Sequence, residues 1–157
     1  MRTRRKSAIG LALLVGLVAL IPLTQATAGG IVTLDAALTG AAEVPTPGDP
    51  NGSGNATIAL DPAADDVCFD VSWSRIGRPF AAHIHKGSPT VAGPVRVELF
   101  ASSLPLPGTI KAVQGCVRNV DSDLIDRIIA NPDRFYVNVH TNAYRAGAIR
   151  GQLALAP

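Results

Sequence analysis

Along much of the chain, apolar and polar residues alternate with period two in short segments separated by Gly, Pro, Asn and Asp. Val67, Phe69, Val71 and Trp73 fall on one side of an extended segment and Cys68, Asp70 and Ser72 on the other, because successive side chains of a strand point to opposite faces. The same reading predicts strands at Ile31 to Leu38, Gly54 to Leu60, Phe80 to Lys86, Val95 to Phe100, Thr109 to Val113, Arg134 to Thr141 and Ala148 to Leu155. Asp61-Pro62, Ser88-Pro89, Gly93-Pro94 and Leu104 to Gly108 supply turn chemistry between them, and Pro45 to Gly54 is the longest turn-prone stretch. One segment departs from the alternation. Asp121 to Ala130 has apolar residues at 124, 125, 128 and 129, acidic residues at its start and Asn131-Pro132 as a stop, which predicts a short helix. About eight strands and one helix define an all-β domain, read as a two-sheet Greek-key-like sandwich. With one Trp, two Tyr and four Phe, its core must come mostly from Val, Ile, Leu and Ala.

The chain's beginning does not fit that pattern and changes the charge. Arg2, Arg4, Arg5 and Lys6 precede the apolar run Ala8 to Leu23, and Ala26-Thr27-Ala28 matches a small-residue cleavage site. This is a secretory leader over residues 1–28, leaving a single domain over 29–157. The run is short for a membrane-spanning helix and is interrupted by Pro22. Arg4-Arg5 leaves both general secretion and twin-arginine export open. The formal charge of +2 counts 14 Lys and Arg against 12 Asp and Glu. Removing the four leader cations leaves ten against those twelve, so the exported domain is mildly acidic. It is expected to bind no nucleic acid and, after cleavage, no membrane.

An exported chain meets an oxidising environment, so Cys68 and Cys116 are expected to form a disulfide. The loop closed is about 50 residues, worth about 4 kcal/mol in the chain-entropy description. The alternative, a cysteine nucleophile or metal ligand, lacks a neighbouring His in the sequence.

The three histidines all fall on predicted strands. His83 and His85 are two apart, so both imidazoles leave one face while Ile84 goes to the core. In Phe135 to His140 the apolar set 135, 137 and 139 faces inward, which puts His140 on the outer face with Tyr136 and Asn138. Arg150 and Gln152 alternate with Ile149, Gly151 and Leu153 in the same way. The histidines, Asn138, Arg150 and Gln152 are therefore candidates for one polar surface. Two imidazoles at i and i+2 with a third from another strand make a three-nitrogen set suited to copper or zinc, and Glu98 is a possible carboxylate supplement. The same histidines could instead hydrogen-bond loop backbone and hold the turn from Lys86 to Gly93. No G-x-S-x-G elbow, phosphate-cradling glycine loop or placed carboxylate pair is present, so no catalytic residue is assigned.

The ordered set Ala82-His83-Ile84-His85-Lys86-Gly87, Gly93-Pro94-Val95, Tyr136 to Thr141 and Gly147 to Leu153 resembles the CHRD domain, the module named for chordin, over about Thr33 to Leu155. Glu43-Val44-Pro45 resembles that family's early EVPP element, with Thr46 in place of the second Pro. The resemblance implies an extracellular, non-catalytic binding module whose ligand or protein partner it does not specify. His83-Ile84-His85 is also similar to the copper-binding strand of Cu/Zn superoxide dismutases, which implies the alternative of a mononuclear copper redox enzyme or copper carrier. Three histidines cannot build such an enzyme's binuclear site.

Overall fold

The computed structural model describes residues 29–157, and the expected leader lies outside the described residues. Nine strands and one helix follow in the order β1 (Val32–Thr39), β2 (Ser53–Asp61), β3 (Asp66–Ser74), β4 (Pro79–Lys86), β5 (Val95–Ala101), β6 (Ala112–Val117), α1 (Ser122–Ala130), β7 (Phe135–Thr141), β8 (Ile149–Gln152) and β9 (Ala154–Leu155). Short 3-10 turns lie at Gly40–Ala42 and Pro132–Arg134. Among the described residues no helix is long and apolar enough to cross a membrane.

The all-β expectation with one short helix is borne out, and in place of two separate sheets the strands form a single one. All strands belong to one antiparallel path, β5-β4-β7-β8-β1-β2-β3-β6, with β9 added to β1. The path has two halves joined at one register pair, Thr39 with Arg150. It curls so that β5, at one end, comes against β6 at the other and against its neighbour β3, where the rings of Trp73 on β3 and Phe100 on β5 lie 6.1 Å apart. Between the halves sits a common core that includes Leu34, Ile58, Leu60, Val67, Ile84, Val137 and Ile149, all fully buried. Full burial of such a side chain contributes about 1.5–3 kcal/mol.

Local chemistry accounts for the element ends. Between β2 and β3, the Asp61 carboxylate accepts from the backbone N–H groups of Ala63 and Ala64, at 3.0 and 3.1 Å. Asp65 takes a left-handed φ of 55°, which Asp tolerates. Asp121 caps α1 by accepting from the Leu124 N–H at 2.9 Å. Ile125 and Ile128 are the helix residues driven into the core, and the chain leaves the helix at Asn131-Pro132.

Two strand expectations shift. The segment Thr109 to Val113 is only partly a strand, because Ile110 N–H closes a turn onto Pro107 O at 3.0 Å and β6 begins at Ala112. Gly115 hides β6 from a propensity reading, yet it opposes Phe69, whose ring would lie 3.3 Å from a Cβ at that position. The expected last strand is two pieces: β8 pairs with β7, the chain turns at Leu153, and β9 pairs with β1. Cys68 and Cys116 face each other directly in the β3–β6 register and are joined by the expected disulfide, on the outward face.

Candidate metal centre

The site is built on β4, β7 and β8, whose pairing sets Asn138 opposite both His83 and Arg150, and Tyr136 opposite both His85 and Gln152. Inward-pointing Ala82, Ile84, Val137, Val139 and Ile149 anchor these strands in the core. Their alternation throws His83, His85, Tyr136, Asn138, His140, Arg150 and Gln152 to the other side, as the sequence parity predicts.

The expectation of a polar surface is corrected at this point. Arg150 is 1 % exposed, Asn138 2 %, His140 6 % and His85 8 %. Loops roof this face: Gly87–Pro94, residues 142–148 and the segment around Glu43. Burying polar groups requires partners, and backbone carbonyls of the roof provide many of them. His85 Nδ1 donates to Gly93 O at 2.8 Å, and His140 Nδ1 donates to Arg145 O at 3.0 Å. Arg150 Nη2 donates to Ser88 O at 2.8 Å and to Gln152 Oε1 at 3.2 Å. The Gln152 amide N–H group donates to Gly87 O at 2.9 Å and Asp133 O at 2.7 Å. The hydrogen-bonding role considered for the histidines is therefore present: His85, Arg150 and Gln152 together pin the loop after β4.

Those bonds fix tautomers. A neutral imidazole has one N–H, so His85 and His140, each donating from Nδ1, keep a lone pair on Nε2. The Nε2 of His85 is buried with no partner. The Nε2 of His140 lies 3.0 Å from His83 Nδ1. One nitrogen from each of the three rings lies within 4.8 Å of the others. Glu98 is not in that group. Its carboxylate stands 3.9 Å from His83 Nε2, on the outer edge of the ring.

The imidazoles resist protonation. Burial, aided by His140 and His85, holds His83 down at about 4. Burial likewise lowers His85 and His140, outweighing the backbone carbonyls that favour their charged forms. Neutral imidazoles are the forms that ligate metals.

Sequence reasoning missed Glu43 as part of this site. It is 6 % exposed, and burial raises its carboxyl to about 7, the Arg150 guanidinium and Asn138 amide opposing the rise. Gly147, at φ +154°, leaves room for it, since a Cβ there would collide with the Glu43 carboxylate. Its only sequence signal was a glutamate in the loop element Glu43-Val44-Pro45. Tyr136, noted for its parity and within the motif Tyr136 to Thr141 but given no role, also proves central: the Arg150 guanidinium carbon lies 3.4 Å from its ring centroid, His85 stacks on it with centroids 4.9 Å apart, and its hydroxyl accepts from Gly93 N–H at 3.2 Å.

An all-β domain whose half-sheet carries histidines and an arginine under a roof of loops that adds a glutamate is thus defined by fold and site together. The family model for the CHRD domain matches residues 34–153, and the chain belongs to that family. No curated protein and no solved structure matches it.

Proposed function

We propose that the chain is an exported, non-catalytic CHRD binding module that holds one transition-metal ion, copper or zinc, through His83 Nδ1, His85 Nε2 and His140 Nε2. Export is through the leader over residues 1–28, with the working domain over 29–157, and the module engages an extracellular ligand or protein. The disulfide and the absence of a spanning helix among the described residues fit an extracellular or periplasmic setting.

The observation that carries the metal reading is the meeting of His83 Nδ1 and His140 Nε2 at 3.0 Å beside the orphaned His85 Nε2. Without a cation, either tautomer of His83 is poorly served. The Nδ1–H form bonds to His140 but turns a bare Nε2 toward the Glu98 carboxylate. The Nε2–H form suits Glu98 but leaves lone pairs facing each other. A cation bound at Nδ1 removes the conflict and leaves Glu98 as acceptor for the Nε2–H, the usual outer partner of a metal-bound imidazole. That 3.0 Å is also a hydrogen-bond length, and one ion held by all three rings at about 2.0–2.1 Å each needs the nitrogens, within 4.8 Å of one another, to draw in. Asn138, Arg150 and Gln152 serve as the polar frame.

The test is titration of the metal-free full chain with Cu(II) and Zn(II). One equivalent should bind tighter than about 10 µM, or about 7 kcal/mol, and His83→Ala should weaken binding at least about tenfold. Weaker binding by the unaltered protein, or no effect of H83A, contradicts the reading.

A second reading, copper redox chemistry or copper carriage, is favoured by the exposure of His83, whose side chain is 15 % accessible and opens the cluster to solvent. It requires the copper-loaded protein to outpace free copper in superoxide dismutation or to pass copper to an acceptor chelator. Rates equal to free copper and retention against the chelator remove it.

A further inference from the structure

On the far side of the loop that His85 holds, a groove of about 660 Å3 lies between Gly87–Pro94 and the corner where α1 meets the Pro132–Arg134 turn. Lys86, Arg96, Arg127 and Arg134 line it, together with Asn131, and no acidic side chain does. Among the described residues none of these four cations makes an ion pair, the ion pairs there being His83 with Glu98 and Arg118 with Asp66. All four are exposed. On a domain with ten cations and twelve anions, four cations around one concavity is a marked segregation. Such a cluster repels itself and is relieved by a bound counter-charge. Asp121, which caps α1, shares an adjoining depression with Lys86, Arg96 and Arg127 but makes no ion pair with them, and it does not line the groove itself; nor does Asp133.

We propose that this groove binds a small soluble organic polyanion carrying two or more carboxylate or phosphate groups. Its volume lies within the range of small-molecule sites, roughly 300–1,000 Å3, and its concavity suits a compact ligand. Four separate cations ask for more than one anionic group. The groove is preformed, because its wall is the loop held from behind by His85 on Gly93 O, Arg150 on Ser88 O and Gln152 on Gly87 O. Val91, Pro94 and Phe135 add apolar surface for the ligand's carbon frame. The site goes beyond the metal reading and does not depend on it.

The experiment titrates metal-free full chain at low ionic strength with citrate and, separately, pyrophosphate, followed by calorimetry. At least one should bind at about 1 mM or tighter. Raising salt to about 0.15 M should weaken that binding, as screening shortens the reach of exposed charges to about 8 Å. The double variant Arg96→Gln with Arg134→Gln should lose at least about tenfold in affinity, while Arg118→Gln, whose cation sits with Asp66 elsewhere, should not. His83→Ala should bind the polyanion normally, which separates failure here from failure of the metal reading. Thermal melting checks that the double variant is folded, and Lys86→Gln carries the same comparison if it is not. No binding of either anion at about 10 mM, equal loss in R118Q, or binding of long polyanionic chains but of neither short one overturns the proposal.

Discussion

The two halves of the sheet share one core but treat their outer faces in opposite ways. On β1, β2, β3 and β6 the outward residues Thr33, Asn55, Thr57, Asp70 and Gln114 stand in water, and on β1, β2 and β3 the alternation of covered and uncovered positions is plain. On β7 all seven residues are buried. There the outer face is a second interior, polar, roofed by loops and wired to their carbonyls. The open half needs only its apolar side to be stable, whereas the roofed half must satisfy every polar group it hides. It does not fully do so: Glu43 Oε1, His85 Nε2, Asn138 Oδ1 and Arg150 Nη1 lack partners. Unsatisfied buried groups carry a cost of about 1–3 kcal/mol each, and they gather where the proposed metal centre stands.

The contrast breaks most sharply at Arg150. Replacing it with Ala removes the bond to Ser88 O, the contact with Tyr136 and the cation that opposes the burial of Glu43, and should cost about 3–4 kcal/mol, as for breaking a buried polar network. Urea unfolding measures this, and a loss below about 1 kcal/mol would make the roofed half equivalent to the open one. Next in size is the disulfide of the open half. Changing both cysteines to Ser should lower stability by about 2–4 kcal/mol yet leave metal affinity unchanged, since the bridge lies on the far half of the sheet. A fall in affinity would mean the halves are coupled.

Both acid and base should unsettle the roofed half, through different groups. His83 sits at about 4 in the folded protein against an ordinary 6.5. Between those values the unfolded chain binds more protons, so this contribution to stability is complete above 6.5 and is lost as pH falls through about 4. Glu43 is raised from 4.5 to about 7. Its contribution is therefore complete below 4.5 and is lost as pH rises through about 7. Denaturant midpoints across pH should thus show two limbs, His83→Ala flattening the acid one and Glu43→Gln the neutral one. Unchanged limbs in both variants contradict the burial argument. The smallest effect is expected on the open half. Thr57→Ala removes a 2.7 Å hydrogen bond to Asp35 in contact with water, and should cost under about 1 kcal/mol.

Much of the framework was legible in the sequence because alternation reports which face is apolar. Val67 to Trp73 and Asp121 to Ala130 were read nearly to the residue, and parity put His83, His85 and His140 on the outward faces of their strands, which the β4–β7 pairing then brings together. Alternation cannot tell water from a polar interior, because both appear as polar positions. Hence Arg150 and Asn138 were assigned to a surface although they are covered. What covers them is loop backbone, whose carbonyls belong to no residue type and leave no mark in the pattern. Glu43 was missed for the same reason, since its role depends on a loop returning over β7 and β8 and on the space at Gly147. The shift of β6 has a different cause: Gly115 lowers strand propensity but fits beneath the Phe69 ring.

The central claim is that the carbonyls pinning the roof also hold two histidine Nε2 lone pairs ready for a metal. Long-range 15N–1H spectra of the histidine rings test it directly, first in metal-free protein and then with one equivalent of Zn(II). His85 and His140 should both be protonated at Nδ1 and bare at Nε2 before metal is added, and both Nε2 signals should move on loading while the Nδ1–H bonds persist. An Nε2–H tautomer at either ring, or Nε2 signals that stay in place with Zn(II) added, would contradict the account.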